Sequence, residues 1–213
     1  MPSYARSFLR LAAAVSVTLG LASSASALTI PLSVDLGSGV TASYGSVTIT
    51  QNANALDFAV SLAGTVLGAA SDLHELYFNL VGSPTGVAIG NTNAPHTAYT
   101  LVTNPTVAGG AGSSFEYGVG FGSGAGNPGN GVLKLATFTL SADQPLTLAM
   151  LGQTSTTSGG VSVAMAAHVQ GTSLIPGVTS QAVGGNVPEP GTLALVMSGL
   201  GGLAIAGRRR LPA

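Results

Sequence analysis

The stretch ALDFAVSL, residues 55–62, sets Leu56, Phe58, Val60 and Leu62 on one side of an extended chain and Asp57 and Ser61 on the other. A side-chain period of two belongs to a β-strand with one face in a core and one toward water. The pattern recurs outward from there. ELYFNL (75–80) alternates Leu76, Phe78 and Leu80 with Glu75 and Asn79. FEYGVGF (115–121) alternates Phe115, Tyr117, Val119 and Phe121 with Glu116 and two glycines. VSVAMAAHV (161–169) alternates Val161, Val163, Met165, Ala167 and Val169 with small residues and His168. Shorter strands are predicted at SVTIT (46–50), AYTLV (98–102) and PLTLAM (145–150), and VLKLATFTL (132–140) switches face near Ala136, as at a bulge. Eight or nine short strands between Gly/Asn/Pro/Ser loops predict an all-β fold, a β-sandwich or jelly roll of two facing sheets.

Composition agrees with an exported β protein. Charged residues are only 6% of the 213, and Gly, Ser, Thr, Asn and Ala take their place. Cysteine is absent, so packing and sheet hydrogen bonds must hold the fold without disulfides. Between Leu28 and Asn186 the charged side chains are Asp35, Asp57, Asp72, Glu75, Glu116, Asp143 and Lys134; one cation against six carboxylates leaves about −5. That balance excludes a nucleic-acid partner, which needs a basic footprint.

The N-terminus reads as an export signal. Arg6 and Arg10 precede an apolar run from Leu11 to Leu21, and Ala25 and Ala27 form an A-x-A cleavage site before Leu28. Residues 1–27 are therefore expected to be a signal peptide handled by the Sec machinery, with the β body over 28–186.

Motifs of catalysis are sparse. GAGNPG (Gly124–Gly129) matches G-x-G-x-x-G in form, but Asn127-Pro128 and a following strand replace the helix that a dinucleotide site needs. There is no G-x-S-x-G, no H-E-x-x-H and no cysteine nucleophile. The histidines His74, His96 and His168 are far apart in sequence, and SDLHEL brings Asp72, His74 and Glu75 together as the densest polar cluster, a weak candidate for a cation site. No cofactor is expected. Thr48/Thr50 and Thr137/Thr139 place hydroxyl pairs along two strands; regular arrays of this kind order water, but two isolated pairs are not an array.

The tail, residues 187–213, reads VPEPGTLALVMSGLGGLAIAGRRRLPA. Pro188-Glu189-Pro190 leads into an uncharged stretch, 191–207, expected to be a minimal transmembrane helix, with Arg208, Arg209 and Arg210 as its cytoplasmic stop. Ala194, Ser198, Gly202 and Ala206 recur every four residues, a ridge on which another helix can pack.

This tail resembles the PEP-CTERM sorting signal of Gram-negative exopolysaccharide producers, a C-terminal region also labelled "ice-binding protein C-terminal domain". That label describes the tail by association and carries no implication for the body. The resemblance implies recognition near Pro-Glu-Pro by exosortase, a membrane-embedded cysteine protease or transpeptidase, from a membrane-anchored intermediate. It also implies release to the cell surface or extracellular polymer. The expected function is that of a non-enzymatic surface or matrix protein, structural or adhesive, in biofilm with exopolysaccharide. The alternative is a carbohydrate-binding module with Tyr44, Tyr77, Tyr117 or Phe58 as its aromatic platform, and a two-carboxylate glycan hydrolase comes third.

Overall fold

A computed structural model describes residues 26–93, 99–108, 112–122, 132–172 and 179–188. Its strands are β1 (Ala27–Asp35), β2 (Thr41–Asn52), β3 (Ala55–Leu62), β4 (Asp72–Phe78), β5 (Ala88–Gly90), β6 (Thr100–Thr103), β7 (Tyr117–Gly120), β8 (Leu135–Ser141), β9 (Ser155–Thr156), β10 (Ser162–Val163), β11 (Met165–Gln170) and β12 (Ser180–Gly185). Helix among the described residues is confined to single turns at Gly64–Leu67 and Leu148–Gly152.

Ten strands form one antiparallel sheet in the order β5-β8-β3-β2-β1-β12-β11-β4-β7-β6, and β9 and β10 form a separate ribbon. The two edges, β5 and β6, come back into contact, so the sheet is nearly closed on itself. The expected two facing layers are thus halves of one continuous sheet. Curling replaces a second sheet because it buries the same alternating face while leaving only two short edges, three and four residues long.

The inward side chains are those the alternation marks. Val47, Ile49, Leu56, Phe58, Val60, Leu76, Phe78, Phe138 and Leu140 share one core cluster. Phe58 stacks on Phe138 at 4.8 Å and meets Phe78 of the opposite half at 5.4 Å; Phe121 lies 6.2 Å from Phe138, and Tyr117 5.8 Å from Phe78. These contacts join β3 and β8 to β4 and β7 across the interior.

A second, smaller cluster lies outside the sheet: Leu36, Tyr77, Val107, Phe115, Val163, Ala166 and Ala182. It buries β4, β11 and β12 on both faces, which is why β11 reads MAAHVQ and β12 SQAVGG, with small residues on the outer side. Two sequence expectations are corrected by it. Phe115 and Val163 do not continue the inward rows of their neighbours; each packs in this outer cluster. The run 161–169 is accordingly two strands, broken at Ala164, whose N–H donates to Gly185 O (2.9 Å) and Asn186 Oδ1 (3.0 Å).

Other departures are local. PLTLAM is no strand: it runs into the helical turn Leu148–Gly152, which buries Leu151. The face switch of β8 lies at Lys134–Leu135, between buried Leu133 and buried Ala136; from Leu135 onward its pairing with β3 is unbroken. Gly45 sits where β1 and β2 lose register, between Leu32 and Val34, and a Cβ there would stand 2.1 Å from Ser61 O, so only glycine fits.

Among the described residues no helix is long and apolar enough to cross a membrane, and the stretch 191–207 lies outside them.

Truncating the central aromatic side chain leaves a cavity that the closed sheet cannot collapse into. Phe58→Ala should lower unfolding free energy by about 3–5 kcal/mol, read from urea denaturation.

Candidate functional site

Two regions gather the residues singled out in the sequence: the outer faces of β4, β11 and β12, and the end of β12 where the tail begins.

On β4, Leu73 and Leu76 both point into the core although three positions separate them. A bulge reconciles this: Val169 pairs with Leu73 and His168 with Glu75, leaving His74 as the extra residue. His74 and Glu75 are both turned toward the outer face, beside Asp72. There they meet two residues distant in sequence, His168 and Ser180. His74 Nε2 lies 3.2 Å from Asp72 Oδ2, without the alignment of a directed hydrogen bond, and its ring meets that of His168 edge-on at 5.6 Å. His168 Nδ1 is 3.4 Å from Glu75 Oε2, and its Nε2 is 2.7 Å from Ser180 Oγ. A carboxylate only accepts, so Nδ1 carries the proton to Glu75 and Nε2 accepts from the serine hydroxyl. Tyr77 O–H also donates to Glu75 Oε2 and receives the N–H of Ala108.

The order Ser180–His168–Glu75 is that of a serine-hydrolase triad. Its surroundings differ. His168 is buried, and two grooves among the described residues are lined by other side chains. The network ties β4, β11 and β12 together on the outer face, giving His168, Glu75 and Tyr77 hydrogen-bond or ion-pair partners while His74 Nε2 has no hydrogen-bond partner.

The weak cation-site candidates are thus placed. Asp72 accepts the N–H of Leu133 at 2.7 Å and stands beside His74, whereas Glu75 turns to Tyr77 and His168. Among the described residues no three His, Asp or Glu side chains are grouped so as to hold a metal ion. His96 lies outside the described residues, as does Gly124–Gly129.

The remaining carboxylates also have structural partners. Asp35 accepts from Gly37 N, Ser38 Oγ and Gln181 Nε2 at 3.0, 2.7 and 3.3 Å. Asp57 accepts from Thr139 Oγ1 and Asn52 Nδ2, Glu116 from Leu80 N, and Asp143 from Thr85 Oγ1. Lys134, alone among Lys and Arg in 28–186, donates to Gly68 O at 3.0 Å and to Ser71 Oγ. The aromatic platform is corrected: Tyr44, Tyr77, Tyr117 and Phe58 are all buried, and Tyr77 packs in the outer cluster rather than presenting its ring.

The body's two termini are adjacent. β1 begins at Ala27, one residue before the expected cleavage point at Leu28, and lies next to β12 in the middle of the sheet. Ala25 lies outside the described residues. After β12, Asn186 Oδ1 accepts the N–H of Ala164 and its Nδ2 donates to Ser162 O, both at 3.0 Å, while Val187 packs against the main core. The linker expected at NVPEPG is therefore fastened to the body through Val187. Pro188 is exposed; Glu189, Pro190 and Arg208–Arg210 lie outside the described residues.

Body and tail together define a folded β cargo with a terminal address joined to its central strand. The address is of a known kind: a family model described as the PEP-CTERM protein-sorting motif matches residues 186–210. The chain carries that motif, which marks it as an exosortase-targeted protein and implies export and processing while membrane-anchored. No curated protein and no solved structure matches the chain.

Burial holds the His74 imidazole below its ordinary value of 6.5, against the opposing pull of Asp72. The hydrogen bond with His168, helped by Tyr77, holds Glu75 below its ordinary 4.5 although burial pushes the other way. A native state that resists protonating His74 loses stability as pH falls below about 6.5. The contribution of Glu75 is present above about 4.5 and lost as pH falls through its lower folded value. Both signs agree. The thermal midpoint should fall stepwise on acidification, and His74→Gln should remove the step nearer neutrality while keeping the acidic one.

Proposed function

We propose that this protein is a non-enzymatic component of the cell surface or extracellular matrix, exported through the Sec pathway and held by a transmembrane segment at 191–207 until exosortase acts near Pro188-Glu189-Pro190. Its role is structural or adhesive, in biofilm with exopolysaccharide as its polymer partner. The observation that carries this reading is the sorting motif joined directly to a body whose six carboxylates are all engaged in holding loops, strands and side chains in place. A catalytic carboxylate pair needs one group free to give a proton and another free to receive it or to attack. A cysteine-free sheet closed by packing is also suited to a compartment where no reductant or chaperone maintains it.

A carbohydrate-binding module is the second reading. The burial of the four candidate rings removes the stacking platform from it and leaves polar contacts as the basis for any glycan recognition.

Intact-mass measurement of surface-released protein tests the processing claim. Release from cells with exosortase should yield a form beginning at Leu28 and lacking Arg208–Arg210, and cells without it should retain the tail. Released protein that keeps the three arginines would refute it.

A further inference from the structure

The outer face of β2, β3 and β8 forms a trough that none of the above uses. Register aligns Thr48–Ala59–Thr137 in one row across the three strands and Thr50–Asp57–Thr139 in the next. The threonine pairs, isolated in sequence, thereby become two facing walls. Ala59 has only a methyl group, so β3 is the floor between them. Walls on alternate strands stand about 9.5 Å apart, and hydroxyls within a wall are about 6.8 Å apart. Asn52 and Asn91 close one end, and the hollow measures about 420 Å³. At the other end the next row, Ser46–Ser61–Leu135, adds two hydroxyls and an exposed apolar side chain.

The trough is ordered by its own hydrogen bonds. Thr139 Oγ1 donates to Asp57 Oδ1 at 2.6 Å, Asn52 Nδ2 to Asp57 Oδ2 at 2.8 Å, and Asn91 Nδ2 to Thr139 Oγ1 at 3.2 Å. The hydroxyls of Thr50 and Thr137 and the side-chain carbonyls of both asparagines are left with open hydrogen-bonding capacity.

We infer that this trough binds a neutral, hydroxyl-rich glycan chain; the inference rests on the matrix reading above and gives it a location. Sugar hydroxyls both donate and accept, which matches threonine hydroxyls, amide carbonyls and a fixed carboxylate. Leu135 offers an apolar contact for a ring's C–H face. A body near −5 with Asp57 in the trough disfavours polyanions. The width suits one chain laid along β3. Pre-ordering lowers the cost of binding, and repeated weak contacts along one polymer add through effective concentration. An ordered-water surface is a poorer match, because Ala59 and Asp57 interrupt the hydroxyl columns on adjacent strands.

Affinity electrophoresis of the exported protein through gels containing dextran, hydroxyethyl cellulose or alginate tests this. Retardation is expected in at least one neutral polymer and not in alginate. Ala59→Trp, which fills the trough from its floor, and Asp57→Asn, which keeps the side chain's size and an acceptor oxygen, should each weaken that retardation at least fivefold while the protein stays folded at the assay temperature, as read from its thermal midpoint. Thr156→Trp on the distant ribbon should not. Absence of retardation in both neutral polymers, retention equal in both trough variants, or inhibition of ice recrystallisation without glycan binding would overturn the proposal. Failure of the matrix reading is distinct: wild type and variants alike would be missing from the matrix fraction of cells.

Discussion

The fold depends on a line of aromatic contacts through its interior. Phe138 and Phe58 on one half of the sheet meet Phe121 and Phe78 on the other, with Tyr117 beyond. A ten-stranded antiparallel sheet can lie open, but an open sheet would leave this whole face wet. At roughly 25 cal/mol per Å² of apolar surface, burying large aromatic side chains supplies the drive to curl. Curling then brings β5 to β6 and leaves short edges. With no cysteine in the chain, no disulfide takes over if the aromatic line is cut.

The same closure decides how the tail is presented. β12 is the last strand among the described residues yet lies between β1 and β11, so the sheet is incomplete without the segment next to the sorting motif. Asn186 and Val187 extend that attachment two residues further. Three residues then separate Val187 from the start of the apolar stretch, a reach of about 10 Å when extended. The completed sheet and the attachment of the motif therefore share one element, β12.

Much of this is legible in the sequence. β2, β3 and β8 bury one face and wet the other, so their alternation names the core directly, Leu56 and Phe58 above all. β12 is invisible to the same test, because SQAVGG is covered on both sides and its outer positions must be small. Phe115 and Val163 alternate with the inward rows yet pack in the outer cluster for a related reason: periodicity shows that a residue is buried without showing by which cluster. PLTLAM alternates like a strand, yet its apolar side chains are satisfied by a helical turn. In the polar cluster, Asp72, His74 and Glu75 stand out by proximity along the chain, and the spacing of Leu73 and Leu76 carries the bulge that turns His74 outward. His168 and Ser180 join them only through strand order, which local sequence does not encode. The threonine walls depend likewise on β3 lying between β2 and β8.

The central claim is that β12 is an interior strand, locked between β1 and β11, and that the address hangs from it. Amide hydrogen exchange on the released protein measures this most directly. The account predicts that the amides of Ala182, Val183 and Gly185 exchange among the slowest, on the timescale of global unfolding and together with those of Ile49 and Val60. Exchange in β12 as fast as in exposed loops, with β2 and β3 still protected, would contradict it.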